Sequence, residues 1–182
     1  MNQSCSCRQT ELIGMMRLLW SQHVYWTRFF IISTAESLSD IQGVTERLLE
    51  NPTDFEMALK PYYGVKTAQR FQTLLTEHLK IGGDLVNAAK DADTVKANVL
   101  RRRWYENADE IAAFLACINP FWCEKKWRKM LYSHLEMTEK EAGLRLNKEY
   151  RKDIAMFGQI ETEAMDMADD ISAGIICQFL CK

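Results

Sequence analysis

Residues 19–30 read LWSQHVYWTRFF, and this stretch decides the fold. It has the apolar density of a core helix, yet His23 stands between Leu19 and Trp26, where a helical bundle takes an aliphatic side chain. Extending the pattern both ways gives a seam of Leu12, Met16, Leu19, His23, Trp26 and Phe30, in alternating steps of four and three. That is the spacing of a helix packed along one stripe. The periodicity predicts a helix over about 8–37, with SLSD ending it.

The same period recurs along most of the chain. It predicts helices over about 65–92, with Phe71, Leu74, His78, Ile81 and Leu85 on one face, and over about 94–119, with Ala97, Leu100, Trp104, Asn107, Ile111, Phe114 and Ile118. A last helix spans about 149–180, with Tyr150, Ile154, Phe157, Glu161, Ala164, Ala168, Ile171 and Ile175. Between the first two lies a connecting section of short helices, 40–60, in which NPTD offers Asn51 as N-cap and Pro52 as first helical residue. PYYG then breaks the chain. Pro120 stops the helix before it, because the residue preceding proline is pushed out of the helical region. The section 121–147 reads as one helix or two; TEKE resembles a capping box, Thr138 with Glu141, and favours a new start there. The expected fold is all-α: one domain over 1–182, with residues 1–8 as a tail, built as a four-helix bundle, ferritin-like in outline, with additional short helices.

Composition agrees. The 182 residues are 47% hydrophobic and 26% charged, with three prolines and eight glycines. A net charge of −2 and a pI near 6.0 do not favour a nucleic-acid binder. The N-terminal MNQSCSCRQTE lacks the charged-then-apolar pattern of a signal peptide, and FFIIS is too short for a membrane span. A cytoplasmic protein without membrane contact is expected, and its six cysteines are then thiols. A weaker alternative brings Cys5, Cys7, Cys177 and Cys181 together at one end of the bundle as a zinc or copper(I) clasp. The apolar excess on the helices allows a homodimer.

Each long seam carries one polar interruption near its middle: His23, His78, Asn107 and Glu161. In antiparallel helices of similar length these meet at one level. A buried ionised carboxylate needs a partner or a metal, and two His with one Glu form a familiar set of ligands for zinc or non-haem iron. The metal reading therefore takes His23, His78 and Glu161 as ligands, with Asn107 or Glu110 as helpers to a bound small molecule; Asp109 lies close by. The competing reading is a hydrogen-bonded layer that fixes helix register in a structural or interaction protein. The Glu-x-x-His signature of di-iron bundles is missing, since Leu75 and Leu131 stand three residues before His78 and His134. His134 matches His78 in local pattern and is placed by sequence either beside the layer or on the surface of the opposite hairpin, where a lone histidine is more often structural. No glycine-rich phosphate loop or nucleophile elbow occurs.

A weak internal repeat is also visible. Phe71, Leu74, Leu75, His78 and Leu79 match Trp127, Met130, Leu131, His134 and Leu135, which suggests two related helical hairpins.

LWSQHVYWTRFFIIS, LLENPTDF, PYYG, EHL, RRWYENADEIAAFLACINP and SHLEMTEKEA together resemble an uncharacterised family of short all-helical proteins of spore-forming bacteria, whose members often carry the label acetylglutamate kinase. The resemblance runs from about residue 12 to the end and implies the domain's extent. It implies no kinase chemistry, because this chain has neither the strands nor the phosphate loops of an amino-acid kinase.

Overall fold

The structure is a computed structural model that describes residues 3–180, with side chains from residue 7. It is all-helical: α1 (Gln3–Glu36), α2 (Ile41–Lys90), α3 (Thr94–Ile118), α4 (Glu124–Leu146) and α5 (Tyr150–Ile175), followed by a π-helical turn, Ile176–Leu180. Among the described residues no helix is long and apolar enough to cross a membrane.

Two expectations about local structure change. The section 40–60 is not a set of short helices but the first arm of α2, which runs unbroken to Gly64. Gly64 has φ 75 and ψ 171, a conformation only glycine adopts without strain, so PYYG is where the chain reverses. Asn51 and Pro52 lie inside this arm; Asn51 does not cap a helix, because its side chain is spent on a tertiary contact. The two arms pack antiparallel, with Gln72 Nε2 donating to Thr53 Oγ1 (2.9 Å) and the rings of Phe55 and Phe71 5.7 Å apart. The second change is that α4 is one helix. Thr138 and Glu141 lie within it rather than forming a capping box, and Glu141 is paired to Arg28 of α1. α1 begins at Gln3, within the stretch expected as a tail.

The chain thus forms three antiparallel hairpins: α1 with the first arm of α2, the second arm of α2 with α3, and α4 with α5. Packing of α5 on α1 closes the set, through the paired bonds of Arg17 to Asp169 (both 2.7 Å) and of Tyr25 to Glu161 (3.0 Å). The hairpins share one pattern. His23, His78 and His134 recur after 55 and 56 residues. Around them, Trp20, Leu75 and Leu131 are equivalent, as are Val24, Leu79 and Leu135; all are buried. On the return helices Leu48, Trp104 and Ile160 correspond, as do Phe55, Ile111 and Met167, again all buried. The internal repeat is therefore threefold, not twofold. Each hairpin buries the same face against its neighbours, which sets its histidine on the common axis.

Away from that axis, a second polar cluster ties α1, α4 and α5 together. Arg28 bridges Glu141 and the fully buried Asp153 (2.6 Å to Asp153), and Arg145 adds Asp153 (3.4 Å) and Glu36 (3.1 Å). Burial pushes the Glu141 carboxyl up to about 7, against the pull of Arg28.

Candidate metal centre

The three histidines meet on the axis. Their ring centroids lie 5.8 Å (His23–His134), 6.3 Å (His23–His78) and 6.4 Å (His78–His134) apart, and one ligating nitrogen from each falls within 4.8 Å of the others. All three are buried, at 2–3% exposure. Among the described residues this is the group of His, Cys, Asp and Glu side chains placed to share an ion.

Two of the rings are oriented by hydrogen bonds from the return helix of their own hairpin, and the third faces a carboxylate at the equivalent place. His23 Nδ1 is 3.1 Å from Asn51 Oδ1, 28 residues on, and His78 Nδ1 is 3.0 Å from Asn107 Oδ1, 29 residues on. His134 Nδ1 lies 3.5 Å from Glu163 Oε2, again 29 residues on, near but not aligned for a hydrogen bond.

The amides settle the tautomers. Asn51 Nδ2 donates to Leu19 O (3.0 Å) and Asn107 Nδ2 to Leu74 O (3.1 Å), each carbonyl lying one turn before the histidine. A carbonyl only accepts, so the amide nitrogen is assigned to that side and the amide oxygen must face the ring. Nδ1 of His23 and of His78 therefore carries the proton, and Nε2 of each is a lone-pair acceptor. Glu163 stands on the corresponding side of His134, with Oε2 3.5 Å from Nδ1. Two acceptors cannot hydrogen-bond each other, so the centre of the triad calls for a donor or a cation.

Charge supports this. Burial lowers His23 to about 3, helped by neighbouring His134 and opposed by the bond to Asn51. Burial likewise lowers His78 to about 3, with His23 and His134 adding to it and Asn107 opposing. Both rings are neutral at pH 7, the state that binds metal.

Two spaces adjoin the triad. Toward the Trp20 side is a closed apolar cavity of about 10 Å³, bounded by Trp20, Phe71, Leu75, Trp127 and Leu131, room for about one water. The indole N–H groups of Trp20 and Trp127 are buried without a partner. On the opposite side a cavity of about 500 Å³ runs from the three histidines, lined by α1, both arms of α2 and α4, with Trp104 of α3. Its first layer, one turn past the histidines, is Thr27, Gly82 and Thr138; the next is Ile31, Val86 and Ala142. Gly82 lets the Trp104 ring approach closely, since a Cβ there would lie 3.0 Å from it, and Trp104 Nε1 donates to His78 O (3.0 Å).

Of the residues read from sequence, His23 and His78 are in the centre and Asn107 orients His78. Glu161 is not in the layer: it sits at the surface, accepting from Tyr25 Oη. Its place is taken by His134, with Glu163 behind. The apolar Ile154 and Phe157 drew the expected seam of α5 around the helix; the buried face runs through Asp153, Met156, Ile160, Ala164 and Met167, with Ile154 61% exposed. Glu110 pairs with Arg103 (2.8 Å) and Arg70 (3.7 Å), and Asp109 with Arg128 (2.8 Å), all away from the triad. The residues missed were Asn51, His134 and Glu163. Their signal was the recurrence of a histidine followed 28 or 29 residues later by an amide or carboxylate. Cys7, Cys117, Cys123 and Cys177 are exposed free thiols; the terminal clasp involves Cys5 and Cys181, whose side chains lie outside those described.

Comparison with known proteins finds no match: no family model, no curated protein and no solved structure is significantly similar to the chain.

Proposed function

We propose that the bundle binds one divalent metal ion on Nε2 of His23, His78 and His134, zinc before iron, and leaves a coordination position open. The single observation carrying this is the convergence of three buried imidazoles, two of them held at the outer nitrogen by Asn51 and Asn107, with Glu163 3.5 Å behind the third. Three protein ligands with an open position is the arrangement of zinc sites that hold water or substrate, whereas structural zinc sites close the tetrahedron. Zinc is favoured because no carboxylate joins the ligand set, unlike the two-His-one-carboxylate sites of non-haem iron. Bonds of about 2.0–2.1 Å in a tetrahedron place nitrogens about 3.3 Å apart, so the rings draw in by about 1.5 Å at most. Carboxylate or amide partners behind metal-bound histidines are the usual means of setting ring orientation and basicity. A metal so held supplies Lewis acidity and lowers the pKa of bound water to about 7. A ferritin-like, four-helix outline belongs to this reading only as the general habit of building metal sites between facing helices.

The test is titration of untagged, metal-free protein with Zn(II) and Co(II). One ion per chain is expected, with the visible bands of four- or five-coordinate Co(II). His23→Ala, His78→Ala and His134→Ala should each lose it while Glu161→Gln keeps it. Failure to bind, or unchanged binding by His134→Ala, overturns the proposal in favour of a purely structural layer.

A further inference from the structure

The 500 Å³ cavity opens directly on the triad, and its chemistry narrows what the open position would take. Resting on the metal reading above, we infer that the cavity receives a medium-chain carboxylate, with its head at the metal and its hydrocarbon body along the cavity.

Three observations carry this. The cavity walls beyond the first turn are mainly apolar: Phe30, Ile31, Leu48, Leu79 and Val86 belong to a separate apolar cluster around it, and the one carboxylate on α4, Glu139, is paired with Arg101. Such side chains would normally close on one another; here they face a space for roughly fifteen water-sized groups at about 30 Å³ each, within the range of small-molecule sites. The head-group end has a free polar partner. Thr138 lies one turn past His134 on the same face of α4, is 4% exposed, and its hydroxyl is buried with no hydrogen-bond partner. Its counterpart in the first hairpin, Thr27, donates to His23 O (2.7 Å). A carboxylate with one oxygen on the metal would find the Thr138 hydroxyl as donor to the other. The third observation is charge. A divalent ion on three neutral rings, with only Glu163 behind them, keeps a net positive charge in an apolar interior, which favours an anionic ligand. Lys80, Asp84 and Asn87, the exposed members of the lining, mark where the cavity meets solvent.

Gly143 provides the means to block the cavity without disturbing the metal. It lines the cavity within α4, and a Cβ built there meets nothing within 4 Å. Phenylalanine at this position removes a helix-weakening glycine and extends a ring into open space.

The experiment uses full-length protein loaded with Co(II) and titrated with acetate, butyrate, hexanoate and octanoate, followed by the visible spectrum. Burial of each methylene should tighten binding about fourfold, so octanoate should bind at least about 100-fold tighter than acetate. Gly143→Phe should abolish the chain-length dependence and leave acetate binding and Co(II) content unchanged. Thr138→Val should weaken acetate and octanoate alike, by about tenfold, with the metal retained. Equal affinities along the series in protein that holds Co(II) overturn the inference while leaving the metal reading intact. Failure to take up Co(II) overturns both. If Gly143→Phe does not fold, the series on the natural chain and on Thr138→Val decides alone.

Discussion

Replacing Asn51 by leucine tests the tautomer argument directly. The amide makes two buried bonds, to His23 Nδ1 (3.1 Å) and to Leu19 O (3.0 Å), and Asn51 is 0% exposed. Leucine has the same branched shape and number of heavy atoms, so no cavity is left. What is lost is hydrogen bonding. The orphaned imidazole N–H costs about 1–3 kcal/mol. Leu19 O loses a second bond, about 0.5–1.5 kcal/mol. Asn51→Leu should therefore destabilise the metal-free protein by about 2–4 kcal/mol, read as a fall in the urea midpoint at unchanged m-value. It should also weaken Zn(II) binding about 10–100-fold, because His23 loses the acceptor that fixes its orientation and raises its basicity. Asn107→Leu should behave alike, since His78 and Leu74 O are held in the same way. Asn51→Asp is the contrast: it keeps an acceptor on Nδ1, loses the donor to Leu19 O, and should retain most of the metal affinity. A stability loss below about 1 kcal/mol would refute the hydrogen-bond reasoning. A loss of stability with Zn(II) affinity unchanged would show that Asn51 packs the core without orienting a ligand.

Acid should destabilise the metal-free protein in two stages. His23 and His78, lowered to about 3, stay neutral in the native state while the unfolded chain takes up protons below about 6.5. Each costs roughly 1 kcal/mol or slightly more per pH unit over that window. Glu141, raised to about 7, holds its proton in the native state and opposes this between pH 7 and about 4.5. The slope measured by urea unfolding should therefore be roughly 1 kcal/mol per unit above pH 4.5 and about twice that or more below; a flat profile from pH 6.5 to 3.5 would refute buried neutral rings. Arg28→Met leaves Glu141 and Asp153 buried with a partner removed and should cost about 3–5 kcal/mol at pH 7.5. Part of that deficit should return at pH 5.5, where Glu141 is protonated; a deficit independent of pH would exclude Glu141 as its source. Gly174→Ala should cost about 1–3 kcal/mol by overpacking, because its Cβ would fall 1.9 Å from Trp122 Nε1. Gly158→Ala meets nothing within 4 Å and should instead gain up to about 1 kcal/mol; equal effects in thermal melts would show that Trp122 moves freely.

The sequence by itself determined that the chain is helical, because a 3.6-residue apolar period needs no tertiary knowledge to read. It also marked PYYG as a break in the chain and placed His23 and His78 on buried faces at one level. It did not determine how the helices face one another. On α5, Ile154 and Phe157 satisfy the period as well as Met156 and Ile160 do, and only packing against α1 and α4 chose the second set. That choice is about a third of a turn, enough to send Glu161 to the surface and Glu163 behind His134. Asn51-Pro52 carries a local helix-start signal, yet its amide is drawn inward by two buried partners on α1. The Thr138–Glu141 signal is overridden in the same way, since Arg28 claims the carboxylate. Local patterns report what a segment prefers alone. The histidine triad depends on which nitrogen of each ring faces the axis, and for His23 and His78 that was decided by amides 28 and 29 residues away, through hydrogen bonds that exist only once the hairpins close.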